Sequence, residues 1–94
     1  MKKYSEESIK AELKALKDWR FIDNKLEKKF KFLDFSEALG CIVRVGVLAE
    51  KSDHHPELVN VYNTLIIRLT THDAEGVTDK DIDLAKNIEK LFTK

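Results

Sequence analysis

Apolar residues recur with helical spacing in three separate segments of the chain. In the first, Ser5 stands where an N-cap would and acidic residues follow it, so the pattern predicts a helix over residues 5–17. The second runs from Phe35 to about Lys51 and is apolar on more than one face, which is typical of a central, well-covered helix. The third opens at Thr78 with another cap signal. Its predicted buried stripe consists of Ile82, Ala85, Ile88, Leu91 and Phe92.

The segment between the first two helices shows a strand pattern. Residues 19–22 are predicted to be extended, and Asp23-Asn24-Lys25 has the composition of a turn. Apolar residues then occupy alternate positions from Leu26 to Phe32, with Lys28 as the only break. Such alternation predicts an antiparallel strand that is buried on one face only.

Two further β-rich runs, residues 58–62 and 65–71, are joined by a very short connection, which favours a hairpin. The predicted order is therefore helix, strand, strand, helix, strand, strand, helix. This order indicates an α+β fold in which a four-stranded, mainly antiparallel sheet carries all three helices on one face. The opposite face of the sheet is expected either to be covered or to be polar, and Lys29, Lys31 and Arg68 are the polar residues available to it.

Size and charge narrow the possible functions. At 94 residues and 10.9 kDa, the chain is predicted to form a single domain over residues 1–94. Seventeen basic and seventeen acidic side chains cancel, which argues against a nucleic-acid binder and against a polybasic membrane binder. No apolar run is long enough to span a membrane. The lone Cys41, in an apolar helical pattern, is expected to act as a small hydrophobe in a reduced, cytoplasmic protein.

The candidate chemistry is concentrated in the three histidines. His54 and His55 follow the long helix, and His72 follows the last strand. Because antiparallel pairing returns the chain to the place where the hairpin began, we expect His72 to lie beside the other two. An imidazole with an ordinary pKa of about 6.5 can donate or accept a proton near neutral pH.

Three interpretations of this cluster stay open on spacing alone. The histidines can belong to a solvated turn and a strand end, they can bind zinc, or they can form a metal-free acid–base pocket. Adjacent histidines seldom both reach one metal ion, and the sequence contains no HExxH motif. The acids Glu50, Asp53 and Glu57 flank the pair and are available to orient or charge it.

Four linked blocks follow one another in the second half of the chain. They are Glu50-Lys51-Ser52-Asp53-His54-His55-Pro56-Glu57, Asn60-Val61-Tyr62-Asn63, Leu69-Thr70-Thr71-His72 and Gly76-Val77-Thr78-Asp79-Lys80-Asp81-Ile82. Together these blocks resemble the pterin-4a-carbinolamine dehydratase family. The resemblance covers about residues 16–92. It implies the same sheet-and-helix fold and the dehydration of a 4a-hydroxytetrahydropterin to quinonoid dihydropterin. It implies no metal and no organic cofactor, since the pterin is the substrate.

The resemblance also implies roles for particular residues. His54 and His72 are expected to transfer protons at the 4a-hydroxyl, one for each stereoisomer. His55 is expected to hold the pterin and to share the role of base, and Glu50 is expected to orient a histidine. The candidate substrate contacts are Asp53, Thr70, Thr71, Asp73, Trp19 and Asp81.

Some of these assignments have plain structural alternatives. Trp19 is equally well explained as a core aromatic residue, and Asp81 as an ordinary acid in the first turn of a helix. Leu58 stands where many relatives have an aromatic residue, so no aromatic packing against the pterin is expected from that position.

The expected partners follow from the same resemblance and from the small core. We expect a pterin substrate, a functional link to an aromatic amino-acid hydroxylase, and a homodimer or dimer of dimers that covers the apolar faces of the long helix. The alternative function is a non-catalytic pterin-binding or protein-interaction subunit with the same fold.

Overall fold

The computed structural model describes residues 2–92, so Met1, Thr93 and Lys94 of the predicted domain lie outside the described residues. Three helices and four strands alternate in the predicted order. They are α1 (Glu6–Leu13), β1 (Arg20–Ile22), β2 (Lys25–Lys31), α2 (Phe35–Ser52), β3 (Glu57–Val61), β4 (Thr64–Leu69) and α3 (Asp79–Lys90), with a short 3₁₀ helix at His72–Ala74. The strands form one antiparallel sheet in the order β1-β2-β4-β3, which confirms the α+β prediction.

Both hairpins close through residues in the left-handed backbone region. Asp23 and Asn24 join β1 to β2 with φ angles of 52° and 62°, as a two-residue hairpin turn with the twist of its strands requires. Tyr62, with φ of 51°, and Asn63 join β3 to β4. The side-chain amide of Asn63 also donates to the carbonyl of Phe32 at 3.0 Å, which fastens this turn to the end of β2.

One face of the sheet carries the helices and forms the core. Leu26, Leu65, Ile67 and Leu69 are fully buried on this face, beneath residues of all three helices. Lys28, which interrupts the apolar alternation, also points to this side, and its Nζ lies 2.9 Å from a Glu89 carboxylate oxygen on α3. The break in the pattern therefore marks an ion pair at the edge of the core.

The other face of the sheet is polar in part, as predicted. A row of alternating charge crosses all four strands, since Arg20, Glu27, Arg68 and Glu57 are aligned in register. Within this row Arg68 Nε donates to Glu27 at 2.7 Å, and that hydrogen bond raises the pKa of the guanidinium above its ordinary value. The neighbouring row is less polar, because Ile66 pairs with Val59 beside Lys29.

Several predicted boundaries were wrong by a few residues. The first helix ends at Leu13 and not near residue 17, because the chain tightens into i→i−3 hydrogen bonds and then reverses at Asp18, whose φ is 68°. Leu16 is buried all the same, which explains why its spacing resembled helix. The fourth strand ends at Leu69 because His72 begins the 3₁₀ helix. Phe92, predicted to be buried, is 40% exposed although its ring lies 4.9 Å from that of Phe30.

Candidate active site

All three histidines line one cavity, which confirms the predicted convergence. The cavity has a volume of about 390 Å³ and is open to the surface. It is lined by Asp53, His54, His55, Thr70, Thr71, His72, Asp73 and Lys80. Its two walls come from the end of α2 and from the segment after β4, which lie together because β3 and β4 pair along their length.

The end of α2 places His54 over the third helix. Asp53 is the C-cap residue in the left-handed conformation, and the backbone N–H of His54 donates to the carbonyl of Ala49 at 3.1 Å. This turn directs the His54 side chain inward, where it is only 10% exposed. Its Nε2 lies 2.5 Å from Oδ1 of Asp81, a residue in the first turn of α3. Asp81 is thus both a helix-capping acid and the partner of a histidine.

The Asp81 carboxylate sits in a small buried polar network. The buried polar residues of the described chain are Thr71, Thr78 and Asp81. The Thr71 hydroxyl donates to Asp81 Oδ2 at 2.8 Å, and the backbone N–H of Thr78 donates to the same oxygen at 2.9 Å. The two threonine hydroxyls lie 2.7 Å apart. Both carboxylate oxygens therefore have partners, as a buried charge requires.

The second ring nitrogen of His54 has no partner within the described residues. No protein group in the described part of the chain bonds to Nδ1 of His54, and this nitrogen is not among buried polar atoms without a partner. It is therefore open to the cavity or to solvent. An imidazole held at Nε2 by a carboxylate and open at Nδ1 can accept a proton there, or donate one once it is charged.

The other two histidines are more exposed. His55 Nε2 lies 2.6 Å from Oε1 of Glu50, one helical turn back on α2, and both side chains are more than half exposed. Glu50 therefore orients His55, whereas Asp81 orients His54. His72 is exposed at the start of the 3₁₀ helix, and within the described residues its ring has no hydrogen-bond partner.

Thr70 lies between the histidine cavity and a smaller one. The smaller cavity, of about 240 Å³, shares Thr70, Thr71 and His72 with the first and reaches the β1–β2 turn. The Thr70 hydroxyl donates to the carbonyl of Asn24 at 3.3 Å in that turn. Asp53 and Asp73 both line the histidine cavity, as expected of residues that contact a substrate.

Three predicted substrate contacts, Trp19, Thr71 and Asp81, are buried and hydrogen-bonded within the chain. Trp19 is 4% exposed, packs edge-on against Phe30 and donates its indole N–H to Glu89 at 3.2 Å. It does not line the histidine cavity, because its position after α1 directs the ring into the core. Thr71 does border the cavity, but it is 6% exposed and its hydroxyl is bound to Asp81 and Thr78.

Sequence reasoning did not identify two members of the site. Lys80 brings a positive charge to the cavity wall, and Thr78 completes the buried network below it. The sequence pattern identified Thr78 only as a helix-capping residue. The structure contains this cap, as a capping box between Thr78 and Asp81. The same short motif therefore starts the helix and assembles the partner of His54.

The thiol of Cys41 lies away from the histidine cavity. Cys41 is buried on α2, and burial raises the pKa of its thiol to about 11. It borders a separate cavity of about 430 Å³, which has no histidine in its lining.

Among residues 2–92, no group of three or more His, Cys, Asp or Glu side chains is arranged to hold a metal ion. Nor does any helix in this range have the length and apolar character needed to cross a membrane.

Comparison with known proteins gives consistent matches over nearly the whole chain. The sequence model of the family described as "Pterin 4 alpha carbinolamine dehydratase" matches residues 2–91. A protein of Sulfurisphaera tokodaii, provisionally named pterin-4-alpha-carbinolamine dehydratase, is 45% identical over 99% of this chain and 100% of its own length. A protein of Nitrobacter hamburgensis with the same provisional name is 47% identical over 93% of this chain and 88% of its own.

A solved structure has the same fold. The crystal structure of a transcriptional coactivator/pterin dehydratase from Brucella melitensis superimposes with a TM-score of 0.90 at 37% sequence identity. The match covers 95% of this chain and 97% of the other.

Proposed function

The chain belongs to the pterin 4 alpha carbinolamine dehydratase family, and from that premise we propose that it dehydrates 4a-hydroxytetrahydropterin to quinonoid dihydropterin and water. The observation that carries the proposal is the cavity of about 390 Å³ with three imidazoles in its wall. One of them, His54, is held from behind by the buried Asp81 and leaves its other nitrogen open.

The reaction requires two proton transfers and no change of oxidation state. The C4a–O bond breaks with its electron pair on oxygen, and that oxygen takes up a proton and leaves as water. N5 loses its proton, and its electron pair forms the double bond to C4a. An acid and a base that operate near neutral pH meet both demands, and each positioned group typically contributes about 10²–10⁴-fold in rate.

The geometry suggests how the histidines divide this work. His54 and His72 line the same cavity from different segments, one after α2 and one after β4, and in this proposal each serves the hydroxyl on one face of the ring. Asp81 holds the His54 imidazole in place through the contact with its Nε2. His55, oriented by Glu50 at the cavity mouth, holds the pterin and shares the role of base.

Polar groups in the cavity wall are suited to bind the flat, hydrogen-bonding pterin. Asp53 and Asp73 offer carboxylates that can accept from ring N–H groups, and Thr70 offers a hydroxyl. We propose that the pterin is bound as substrate and that the reaction uses no metal and no organic cofactor. In support, no group of three or more His, Cys, Asp or Glu side chains within residues 2–92 is arranged to hold a metal ion.

The assembly that we propose is a homodimer or a dimer of dimers. On α2, Phe35, Leu39, Val43 and Val47 are spaced four residues apart, and each is 47% exposed or more. Gly46 lies on the same helix, and an added Cβ there would meet no atom within 4 Å, so packing within one chain does not explain the glycine. A second copy of this helix, packed closely, would cover the stripe and account for the glycine.

The edge strand β3 offers a second contact for a dimer of dimers. It pairs with β4 on one side only, and Val61 on it is 71% exposed. Edge strands with exposed apolar residues readily pair with another chain.

The cellular role that we propose is cofactor recycling in the cytoplasm, beside an aromatic amino-acid hydroxylase and without nucleic acid or membrane as a partner. The reason is chemical, because such hydroxylases leave their pterin as the 4a-carbinolamine. The balanced charge of 17 basic and 17 acidic residues fits a protein whose ligand is a small neutral molecule.

Turnover separates this proposal from the non-catalytic alternative. Purified protein should accelerate the ultraviolet absorbance change of 4a-hydroxytetrahydropterin dehydration over the spontaneous rate. Pterin binding by calorimetry without any acceleration would instead support a pterin-binding subunit. The protein should be treated with a chelator, and metal analysis should confirm that no zinc remains. If the treated protein is still active, a zinc site is excluded.

A further inference from the structure

Each hydrogen bond around Asp81 has a defined donor and acceptor, because each group carries a fixed number of protons. An ionised carboxylate only accepts, so both the Thr71 hydroxyl and the Thr78 backbone N–H must donate to Oδ2. A hydroxyl has a single proton, and that of Thr71 is used on Asp81. The contact of 2.7 Å between the two hydroxyls therefore requires Thr78 to donate to Thr71.

The chain of donors continues from the backbone at one end to the imidazole at the other. The Thr78 hydroxyl accepts from the backbone N–H of Lys80 at 3.2 Å. At the other end, the oxygens of an ionised Asp81 can only accept, so the contact with His54 then places a proton on Nε2. The neutral imidazole is in that case held as the Nε2–H tautomer, with the lone pair of Nδ1 open to the cavity or to solvent.

We propose that Thr71 is a positioning residue, whose hydroxyl fixes the Asp81 carboxylate and thereby the orientation and tautomer of His54. The proposal deepens the proposed dehydratase function and rests on it for its kinetic consequences. It is preferred to the expectation that Thr71 binds the substrate, because the single proton of the Thr71 hydroxyl is donated to Asp81 and the residue is 6% exposed. Groups behind a catalytic imidazole set its tautomer and ring orientation in the same way in other sites.

The burial of the network explains why a single hydroxyl matters. Asp81 and Thr78 are fully buried, so water cannot readily replace a lost donor to the carboxylate. Without the Thr71 donor, only the Thr78 backbone N–H still holds Oδ2 of the carboxylate, so the contact of Asp81 with His54 is less firmly fixed. The result expected is a mixture of His54 tautomers and a slower proton transfer, with little change in pterin binding.

The test uses three variants of the full chain. Thr71→Val keeps the shape of the side chain but removes the hydroxyl, and Thr71→Ser keeps the hydroxyl. Thr70→Val removes a neighbouring hydroxyl that binds Asn24 and not Asp81, and is the matched control for the tautomer. If the valine variant failed to fold, Thr71→Cys would serve, since a thiol is a weak donor of similar size.

The first readout is independent of activity. Nitrogen-15 NMR of the His54 ring should show the Nε2–H tautomer in the wild type, in Thr71→Ser and in Thr70→Val, and a mixture in Thr71→Val. The second is kinetic, and kcat of Thr71→Val should fall roughly 10- to 100-fold with KM nearly unchanged, as expected for a lost hydrogen bond to a charged group. Thr71→Ser should recover most of kcat.

The two readouts keep the proposals distinguishable. A Thr71→Val protein with the wild-type tautomer and wild-type kcat would overturn the positioning role. A raised KM with unchanged kcat would restore Thr71 as a substrate contact and would equally overturn it. If the tautomer changed as expected but even the wild type showed no dehydration, the positioning role would stand and the dehydratase function would fall.

Discussion

Nε2 of His54 lies 2.5 Å from Oδ1 of Asp81, although 27 positions separate the two residues in the chain. The contact joins the C-terminal end of α2 to the N-terminal turn of α3, with the Thr71 hydroxyl on the other oxygen of the carboxylate. A short link between a buried carboxylate and an imidazole at a cavity wall orients the imidazole.

The first prediction concerns the charge on Asp81. Asp81→Asn keeps the size of the side chain but removes the charge and allows its amide to donate, so His54 loses its fixed tautomer. The kcat of dehydration is expected to fall by roughly 10²–10⁴-fold, the contribution that a positioned acid or base typically makes. Steady-state kinetics beside circular dichroism would measure this. A folded Asn variant with wild-type kcat would contradict the role of Asp81.

The second prediction concerns stability at acid pH. The pKa of Asp79 is lowered in the folded chain, chiefly because the backbone N–H of Lys2 donates to its Oδ1 at 2.8 Å. A carboxyl group whose folded pKa lies below its unfolded value of about 3.9 stabilises the fold above that pH. The contribution is lost as the pH falls through the folded pKa.

Melting curves of the wild type and Asp79→Asn at several pH values would test this. The wild type should melt at a higher temperature at pH 6, and the difference should shrink below about pH 4. The asparagine keeps an oxygen for the Lys2 N–H, so the comparison isolates the charge. A difference that grew as the pH fell would contradict the prediction.

The third prediction concerns the thiol of Cys41. Burial raises its pKa to about 11, so the neutral thiol predominates in the folded protein at neutral pH. Since the thiolate is the reactive form, alkylation by iodoacetamide at pH 7.5 should be roughly 10²-fold slower in the folded protein than in the denatured chain. Mass spectrometry after timed quenching would measure both rates. Equal rates would show that the thiol is accessible and unshifted.

The fourth prediction concerns the apolar stripe on α2. Val43→Glu would place a charge in the middle of the proposed helix–helix contact, where it would be desolvated without a partner. Light scattering should show a smaller assembly than for the wild type. Leu33→Glu makes a comparable change at a residue that is 80% exposed and lies before α2, and it should leave the mass unchanged. A wild-type protein that is monomeric at micromolar concentration would contradict the proposed assembly.

The fold could be predicted largely because local patterns and tertiary packing agree in this chain. The alternation from Leu26 to Phe32 and the capping signal at Thr78 both describe what the structure contains. The end of α1 could not be predicted, because Leu16 is buried from a tight turn and keeps helical spacing there. The position of this turn depends on where β1 begins in the sheet, and the local spacing of apolar residues does not determine that position.

The site could be predicted in outline but not in its connections. The convergence of His54, His55 and His72 follows from the pairing of β3 with β4. Which acid serves which histidine does not follow from spacing. Glu50 is nearer in sequence than Asp81 to both His54 and His55. It contacts only His55 of the two, because the turn at the end of α2 directs His54 towards Asp81.

The central claim is that the cavity histidines dehydrate the pterin by acid–base catalysis. The most direct test measures the dehydration rate of 4a-hydroxytetrahydropterin with four proteins. They are the wild type, His54→Gln, His72→Gln and the double variant. Glutamine keeps hydrogen-bonding groups but does not titrate near neutral pH. Each single variant should lose roughly 10²–10⁴-fold in kcat for the stereoisomer that its imidazole serves, and the double variant should approach the spontaneous rate. A double variant that retained wild-type kcat would contradict the account.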